Sequence, residues 1–142
     1  MSPSLRSNKQ NKIYLGIDVG SISINTVVLN EDGQVIENRY DYCHGKPYEK
    51  LKEILDQFHE KYPSKHIEKI SFTGTGGKLT SELLGGTFVN EVVAQSYSVA
   101  KLYPHVKTII EMGGEDSKLI FMNKTDGEAS RLSDFELNNI CA

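Results

Sequence analysis

The chain has 142 residues and a formal net charge of −3, with 38% hydrophobic and 25% charged residues. This length allows one domain with a real core or a part of a larger protein, and the composition is that of an ordinary soluble globular protein. No apolar run approaches the roughly 20 residues of a membrane span, and residues 1–12 lack the apolar region of a secretory signal. The acidic balance excludes recruitment of nucleic acid or an anionic membrane by bulk charge. We therefore expect no nucleic-acid or membrane partner, and a disordered tail over residues 1–12.

The first half of the chain predicts three strands and a helix. Alternating apolar and polar residues predict a strand over residues 13–19, and β-branched or apolar runs predict strands over 26–29 and 35–40. Pro47 suits the start of a helix, which closes near Pro63. The apolar stripe of this helix has helical spacing and consists of Leu51, Ile54, Leu55 and Phe58.

The second half predicts further strands alternating with helices. A strand over residues 67–72 leads into a Gly-rich loop, and a short helix covers 78–84. A longer helix covers 91–103, and a fifth strand covers 106–112. One face of the longer helix is predicted to carry Val93, Tyr97 and Ala100. The order β-β-β-α-β-α-β, followed by a hairpin, predicts an α/β fold with a mixed sheet flanked by helices.

Two stretches of the chain echo each other at a constant offset of 93 residues, the first at 17–30 and the second at 110–123. In each copy an apolar strand ends in a carboxylate, a spacer and a glycine, and a polar loop leads to a second apolar strand. The carboxylates are Asp18 and Glu111. Because an internal repeat indicates duplicated units, we divide the chain into a first lobe, 13–106, and the start of a second, 107–142.

The repeated loops have the composition of phosphate-binding turns. Gly20, Gly113 and Gly114 would let backbone N–H groups approach a phosphate without a Cβ clash. The hydroxyls of Ser21 and Ser23 could add donors. The alternative is a pair of unrelated Gly-containing turns, although their common register favours a shared function.

The charged residues of the two copies suit a bound metal ion better than direct phosphate contact. Asp18 and Glu111 would repel phosphate, so their sensible role is to hold Mg²⁺, usually through water. Lys118 adds a point positive charge to the second loop.

Two further features lie between the copies. Residues 73–77 follow a strand and precede a helix, a place where anions often bind, but a flexible strand-to-helix turn explains the glycines equally well. Glu91 in the first turn of a helix would be favoured by the helix dipole without any function.

These residues resemble the actin, heat-shock chaperone and sugar kinase ATPases, whose duplicated domains of ribonuclease H-like fold bind ATP and Mg²⁺ in the cleft between them. Residues 18–21 resemble the first phosphate loop and 111–116 the second, and Asn90 with Glu91 resembles the element whose glutamate positions the attacking water. The resemblance implies Asp18 and Glu111 at Mg²⁺ and Glu91 as the catalytic residue. It implies nucleotide contacts from Gly20, Ser21, Ser23, Asn25, Gly74, Thr75, Gly76, Gly113, Gly114, Asp116 and Lys118.

Within that superfamily the chain is most similar to activators of 2-hydroxyacyl-CoA dehydratases, the family shared with benzoyl-CoA reductase ATPase subunits. The segments that carry the resemblance are 15–21, 73–76, 90–91, 111–118 and 138–142. In this family the cysteine at the position of Cys141 is one of two per subunit that ligate a [4Fe–4S] cluster bridging a homodimer. The resemblance thus implies ATP, Mg²⁺, an iron–sulfur cluster, and a dehydratase or reductase partner.

The two cysteines of the chain, Cys43 and Cys141, have simpler interpretations as well. They are far apart and form no CxxC spacing, so we expect free thiols in a cytoplasmic chain and no structural disulfide. Without the resemblance, Cys141 would be interpreted as a buried, inert thiol. Cys43 matches nothing in the family pattern and is expected to lie in a loop without a metal.

The chain departs from the family pattern at three residues and at its end. Asn25 stands where the family usually has a lysine, Ile22 replaces a threonine, and Glu111 replaces an aspartate. The glycine-rich segment and the second cluster cysteine that follow in the family are absent from the sequence. We therefore expect an N-terminal part of a longer protein, which alone binds ATP poorly because a cleft with one wall cannot desolvate the nucleotide.

Two other functions are compatible with the same fold. An acetate, sugar or N-acetylhexosamine kinase would need a carboxylate base against its substrate hydroxyl, and no unassigned residue is a compelling candidate. A non-catalytic nucleotide-binding lobe would need no such base.

Overall fold

The computed structural model describes residues 12–113, 116–123 and 130–138. The strands are β1 Ile13–Val19, β2 Ser23–Asn30, β3 Val35–Tyr42, β4 Ile67–Thr73, β5 Thr87–Phe88, β6 Thr108–Met112, β7 Ser117–Asn123 and β8 Arg131–Asn138. The α-helices are α1 Pro47–Lys61, α2 Gly77–Leu84 and α3 Glu91–Leu102. A single 3₁₀ turn, Ser64–His66, precedes β4. None of the helices in these ranges is long and apolar enough to cross a membrane.

The chain divides into two compact units, Met1–Phe88 and Val89–Ala142. Helix α3 belongs to the second unit because it packs against β7 and β8. The division therefore lies before α3, whereas the lobe boundary taken from the repeat lies after it, between residues 106 and 107.

Unit 1 is a mixed five-stranded sheet in the order β3-β2-β1-β4-β5. The first three strands form an antiparallel meander, and β4 adds to β1 in parallel. The predicted stripe of α1 is confirmed, since Leu51, Ile54 and Phe58 are buried in one cluster with the inward side chains of β1 and β2. The helix begins with Pro47 and ends before Pro63, whose ring disfavours helical backbone at the preceding residue.

Unit 2 is an antiparallel sheet in the order β6-β7-β8, covered on one face by α3. Its buried cluster consists of Val92, Ile120 and Met122. Asn90 caps α3 by accepting a hydrogen bond from the Val92 N–H at 3.0 Å, which fixes the start of the helix at Glu91.

The face of α3 predicted from the sequence is wrong in part. Val93 and Tyr97 are exposed, at 49% and 72%, while Val92 and Ser96 are buried. A serine can occupy the buried face because its hydroxyl donates to the Val92 carbonyl at 2.6 Å, so it brings no unsatisfied group. Of the predicted face, Ala100 does pack against the cluster.

The two units repeat the same strand pairing. Asp18 pairs with Asn25 in the first hairpin, and Glu111 pairs with Lys118 in the second, at the same offset. The repeat extends beyond the predicted hairpin to a third strand, because β8 pairs with β7 as β3 pairs with β2. Even the register shift recurs, between Val28 and Leu29 in unit 1 and at the corresponding Phe121 and Met122 in unit 2.

Thr26 offers a direct test of the core of unit 1. Its side chain is 1% exposed, and its hydroxyl has no hydrogen-bond partner. We expect Thr26→Val to raise the free energy of unfolding by about 1 kcal/mol, because an unsatisfied buried hydroxyl carries a desolvation cost that a methyl group does not. Urea unfolding measures this value. Thr87→Val, at an exposed position, is the control. An equal increase in the free energy of unfolding of both variants would contradict this explanation for Thr26.

Candidate functional site

In unit 1 the two predicted loops lie at the same edge of the sheet. Strands β1 and β4 run in parallel, so their carboxyl ends meet, and Asp18 pairs in register with Thr73. Ligands of open α/β sheets bind at such carboxyl ends. The sequence had identified residues 18–25 and 73–77 separately, and the parallel pairing brings them together.

Gly74 allows the second loop to pass directly over the Asp18 carboxylate. Its φ is +83°, and a Cβ built there would lie 2.3 Å from Asp18 Oδ1 and 2.7 Å from the Val19 carbonyl oxygen. Gly76 continues the contact, since its N–H donates to the Val19 carbonyl at 2.9 Å. Positions 74 and 76 thus require glycine, because this loop passes very close to the end of β1. Thr75, between the two glycines, is exposed.

The turn between β1 and β2 is closed by its own backbone. The Gly20 N–H donates to the Ser23 carbonyl at 3.0 Å, while Ser21 is exposed. Asn25 lies across the strand pair, where its amide donates to Asp18 Oδ2 at 3.4 Å. Asn25, which stands where the family usually has a lysine, therefore contacts the Asp18 carboxylate.

Cys43 supports the same turn and was not recognised as part of the site. Its thiol donates to the Ser21 carbonyl at 3.0 Å, and its N–H donates to the Ile22 carbonyl at 2.9 Å. Residues 21 and 43 are distant in sequence, and no local pattern signals this contact. Cys43 lies in a loop, as the sequence predicts, but its contact with Ser21 was not predicted.

The oxygen atoms at this edge fit a hydrated divalent cation. Mg²⁺ keeps much of its water and takes few protein oxygens. Asp18 supplies one carboxylate, and the buried Thr73 hydroxyl, in the next strand, has no hydrogen-bond partner. Within the described ranges, however, no three His, Cys, Asp or Glu side chains are grouped closely enough to enclose a metal directly.

In unit 2 the predicted residues gather around the ammonium group of Lys118. This side chain is only 5% exposed, and its Nζ lies 2.8 Å from Glu111 Oε2, 2.9 Å from Asp116 Oδ1 and 3.4 Å from Glu91 Oε2. Gly113 closes the turn by donating its N–H to the Asp116 carbonyl at 2.9 Å. The structure thus joins Glu91, which the sequence could not connect to the loop, with Glu111 and Asp116.

The charges of this cluster depend on one another. Burial alone would lower the pKa of Lys118, but its hydrogen bonds to Glu111 and Asp116 and the attraction of Glu91 outweigh that effect. The pKa of Lys118 is therefore raised above the usual lysine value, and the ammonium stays charged. One cation faces three carboxylates, so the cluster carries excess negative charge.

Three sequence predictions lie outside the described residues. They are the cluster ligand Cys141, the phosphate-loop residue Gly114 and most of the tail at 1–12, of which residue 12 alone is described.

The duplicated meander, with a carboxylate and a glycine turn at the end of its first strand, defines the actin-like ATPase fold. Solved structures with the same fold include component A of the (R)-2-hydroxyglutaryl-CoA dehydratase of Acidaminococcus fermentans, with a TM-score of 0.72 at 23% identity, covering 92% of this chain and 49% of that one. They also include the activator of the 2-hydroxyisocaproyl-CoA dehydratase of Clostridium difficile with bound ADPNP, with a TM-score of 0.71 at 22% identity, covering 92% and 47%. The predicted fold class is confirmed.

The chain belongs to the BadF/BadG/BcrA/BcrD ATPase family, whose model matches residues 15–142. It is 29% identical over 134 residues to the (R)-2-hydroxyglutaryl-CoA dehydratase activating ATPase of A. fermentans, covering 90% of this chain and 47% of that protein. It is 25% identical over 130 residues to a 2-hydroxyisocaproyl-CoA dehydratase activator of Clostridioides difficile, covering 90% and 46%. The chain thus spans about half the length of these relatives, and the predicted family is confirmed.

Gly74→Ala tests the close approach in unit 1. We expect it to lower the free energy of unfolding by about 2 kcal/mol more than Gly85→Ala, because steric overlap adds to backbone strain. Gly85 is a matched control, since its φ is +75° but a Cβ there would meet nothing within 4 Å. Urea unfolding compares the two, and equal losses would show that Gly74 serves backbone conformation alone.

Lys118→Met tests the charge cluster of unit 2. We expect a loss of about 3 kcal/mol in the free energy of unfolding, because three partly buried carboxylates would lose the cation that neutralises them. The control is Lys52→Met, which removes an exposed ion pair to Asp56 and should change little. A neutral or stabilising Lys118→Met would contradict this account, and urea unfolding of both variants decides.

Proposed function

We propose that the chain is the ATP-binding part of an activator of a 2-hydroxyacyl-CoA dehydratase-type enzyme. The observation that carries this proposal is the repeated hairpin, which ends twice in a carboxylate and a glycine turn with the same register. Membership of an ATPase family and the likeness to a structure with bound ADPNP support ATP as the nucleotide.

Within unit 1, we propose that the glycine turns contact the phosphates and that Asp18 holds the metal. Exposed Ser21 and Thr75 supply hydroxyl donors, with Ser23 and Asn25 as further polar contacts. Gly20, Gly74 and Gly76 let a phosphate approach the loops without a Cβ clash, although the N–H groups of Gly20 and Gly76 are themselves bonded within the turns. Asp18 would hold Mg²⁺ through water, and the metal would neutralise phosphate charge. Asn25 orients the carboxylate through its hydrogen bond, so compensation of charge in this turn falls to the metal.

Within unit 2, Glu111 takes the part of Asp18, and Gly113 and Gly114 take the part of the first glycine turn. Glu91 is the proposed catalytic residue, which orients the attacking water. Its contact with Lys118 holds the Glu91 carboxylate in the same cluster as Glu111 and Asp116. We propose that Lys118 and Asp116 contribute to nucleotide binding by keeping this cluster ordered, with Lys118 as its positive charge.

The activator role extends the proposal to the whole protein. The relatives are named as activators of dehydratases, which suggests a dehydratase or reductase component as the partner. Cys141 is the proposed ligand of a [4Fe–4S] cluster, which would supply a transferable electron when bound, and a homodimer and cytoplasmic location go with this proposal. Anaerobic iron reconstitution of the full-length protein tests the proposed activator role. A colourless protein whose ATP turnover depends on an added sugar would support the kinase instead.

Nuclear magnetic resonance can test nucleotide binding in the chain itself. On titration with Mg²⁺–ATP we expect the amide signals of Gly20, Ser21, Thr75 and Gly76 to shift, with weak, millimolar binding. The signals of Gly33, in the glycine turn at the opposite end of β2, should not move. Asp18→Asn should remove the dependence of these shifts on Mg²⁺. The proposal fails if millimolar nucleotide moves none of these signals, and micromolar or tighter binding would contradict the weak affinity expected of this chain.

A further inference from the structure

The carbonyl groups of the turn between β1 and β2 face a single residue, Cys43. Its thiol donates to the Ser21 carbonyl at 3.0 Å, and the Gly20 carbonyl oxygen lies 4.0 Å from the same sulfur. The Cys43 N–H donates to the next carbonyl, that of Ile22, at 2.9 Å. Three consecutive carbonyls of the turn are therefore directed toward the residue that follows β3.

Cys43 itself is held in a fixed place. It is 3% exposed, and it directly follows Tyr42, the last residue of β3, which pairs with Ser23. Its carbonyl accepts a hydrogen bond from the Lys46 N–H at 2.8 Å, which closes a tight turn before α1. A paired strand on one side and a closed turn on the other therefore fix the thiol against the turn between β1 and β2.

The N–H groups of the two peptides that contact the thiol point the other way. In a planar trans peptide the C=O and N–H bonds have opposite directions. These two peptides carry the N–H groups of Ser21 and Ile22, which are therefore directed away from Cys43. Within the part of the chain that the structure describes, neither N–H group donates to a backbone carbonyl, and both residues are exposed.

Two successive N–H groups in such a turn can bind an anion. Successive backbone N–H groups form a concavity of positive potential, and phosphate oxygens are suitable acceptors for them. The Gly20 N–H is not available for this purpose, because it donates to the Ser23 carbonyl at 3.0 Å. Ser21 and Ile22 therefore carry the backbone donors that this turn offers to a phosphate.

We propose that Cys43 is a positioning residue for phosphate binding. By holding the carbonyls of the turn from the buried side, it directs the N–H groups of Ser21 and Ile22 toward the ligand. This inference rests on the proposed nucleotide binding by unit 1, and it adds a residue that does not itself touch the phosphate.

The hydrogen bond of the thiol controls the orientation of one peptide in particular. Without it, the peptide between Ser21 and Ile22 can rotate, and its carbonyl oxygen can turn toward the ligand, where it would repel a phosphate. The Cys43 N–H remains in every side-chain variant, so a substitution removes only the contact of the side chain. Cys43→Val fills a similar apolar volume without a donor, whereas Cys43→Ser supplies a hydroxyl donor.

Titration of the full chain with Mg²⁺–ATP and with inorganic tripolyphosphate tests this role, with the amide signals of Ser21 and Thr75 as the readout. Cys43→Val should raise the dissociation constants of both probes by about tenfold, because the N–H groups are no longer held in place. Cys43→Ser should restore both dissociation constants to within about twofold of the wild-type values, since a hydroxyl can donate to the Ser21 carbonyl. Urea unfolding measures the stability of each variant separately.

Ser81→Ala is the matched control, because Ser81 is also buried and its hydroxyl donates to a backbone carbonyl, that of Lys78, at 2.7 Å. It lies outside both candidate loops and should leave the two dissociation constants unchanged. The inference is overturned if Cys43→Val binds as tightly as the wild type, or if Cys43→Ser binds as weakly as Cys43→Val. An affinity that merely follows the free energy of unfolding across the variants would also overturn it, in favour of a purely structural role.

The wild-type titration separates this inference from the proposed function. If the wild-type chain binds both probes and Cys43→Val binds them equally well, the inference fails while nucleotide binding stands. A wild-type chain that binds neither probe overturns the proposed nucleotide binding, and the role of Cys43 with it.

Discussion

The register of the antiparallel hairpin is the constraint on which both units depend. Side chains alternate between the faces of a strand, so a slip of one residue would exchange the two faces completely. In unit 1 the pairing of Asp18 with Asn25 places the carboxylate at the end of β1 while keeping Ile17 and Val19 in the core. The pairing of Glu111 with Lys118 in unit 2 preserves this geometry at the same offset.

The strand register is the same in the two units, but the residues around the carboxylate at the end of the first strand differ. In unit 1 an uncharged amide, from Asn25, and the glycine turn after β4 lie against the Asp18 carboxylate. In unit 2 the residue corresponding to Asn25 is Lys118, which is enclosed by Glu91, Glu111 and Asp116. Because α3 covers this face, the opposite face of the sheet is the exposed one, with Ile110 and Met112 on it.

Patterns of apolar residues along the sequence predicted those strands and helices that bury one continuous apolar face. The alternation of β1 and the stripe of α1 were sufficient because both elements bury one continuous apolar face. Strand β8 was not predicted because its sequence is largely polar and its pairing with β7 defines it. The face of α3 was partly wrong because buried Ser96 satisfies its hydroxyl within the helix. In the candidate site, the residue types were predictable, but the contacts of Gly74 with Asp18 and of Cys43 with Ser21 arise from tertiary pairing.

The central claim is that the carboxylate end of each hairpin takes part in binding a metal–nucleotide complex. Paramagnetic broadening of amide signals by Mn²⁺–ATP, compared with Mn²⁺ alone, tests this most directly, because Mn²⁺ shares the oxygen ligands of Mg²⁺. The account predicts nucleotide-dependent broadening at Gly20 and Gly74 in unit 1 and at Gly113 in unit 2. Broadening that is equal with and without ATP, or that is confined to one hairpin, would contradict it.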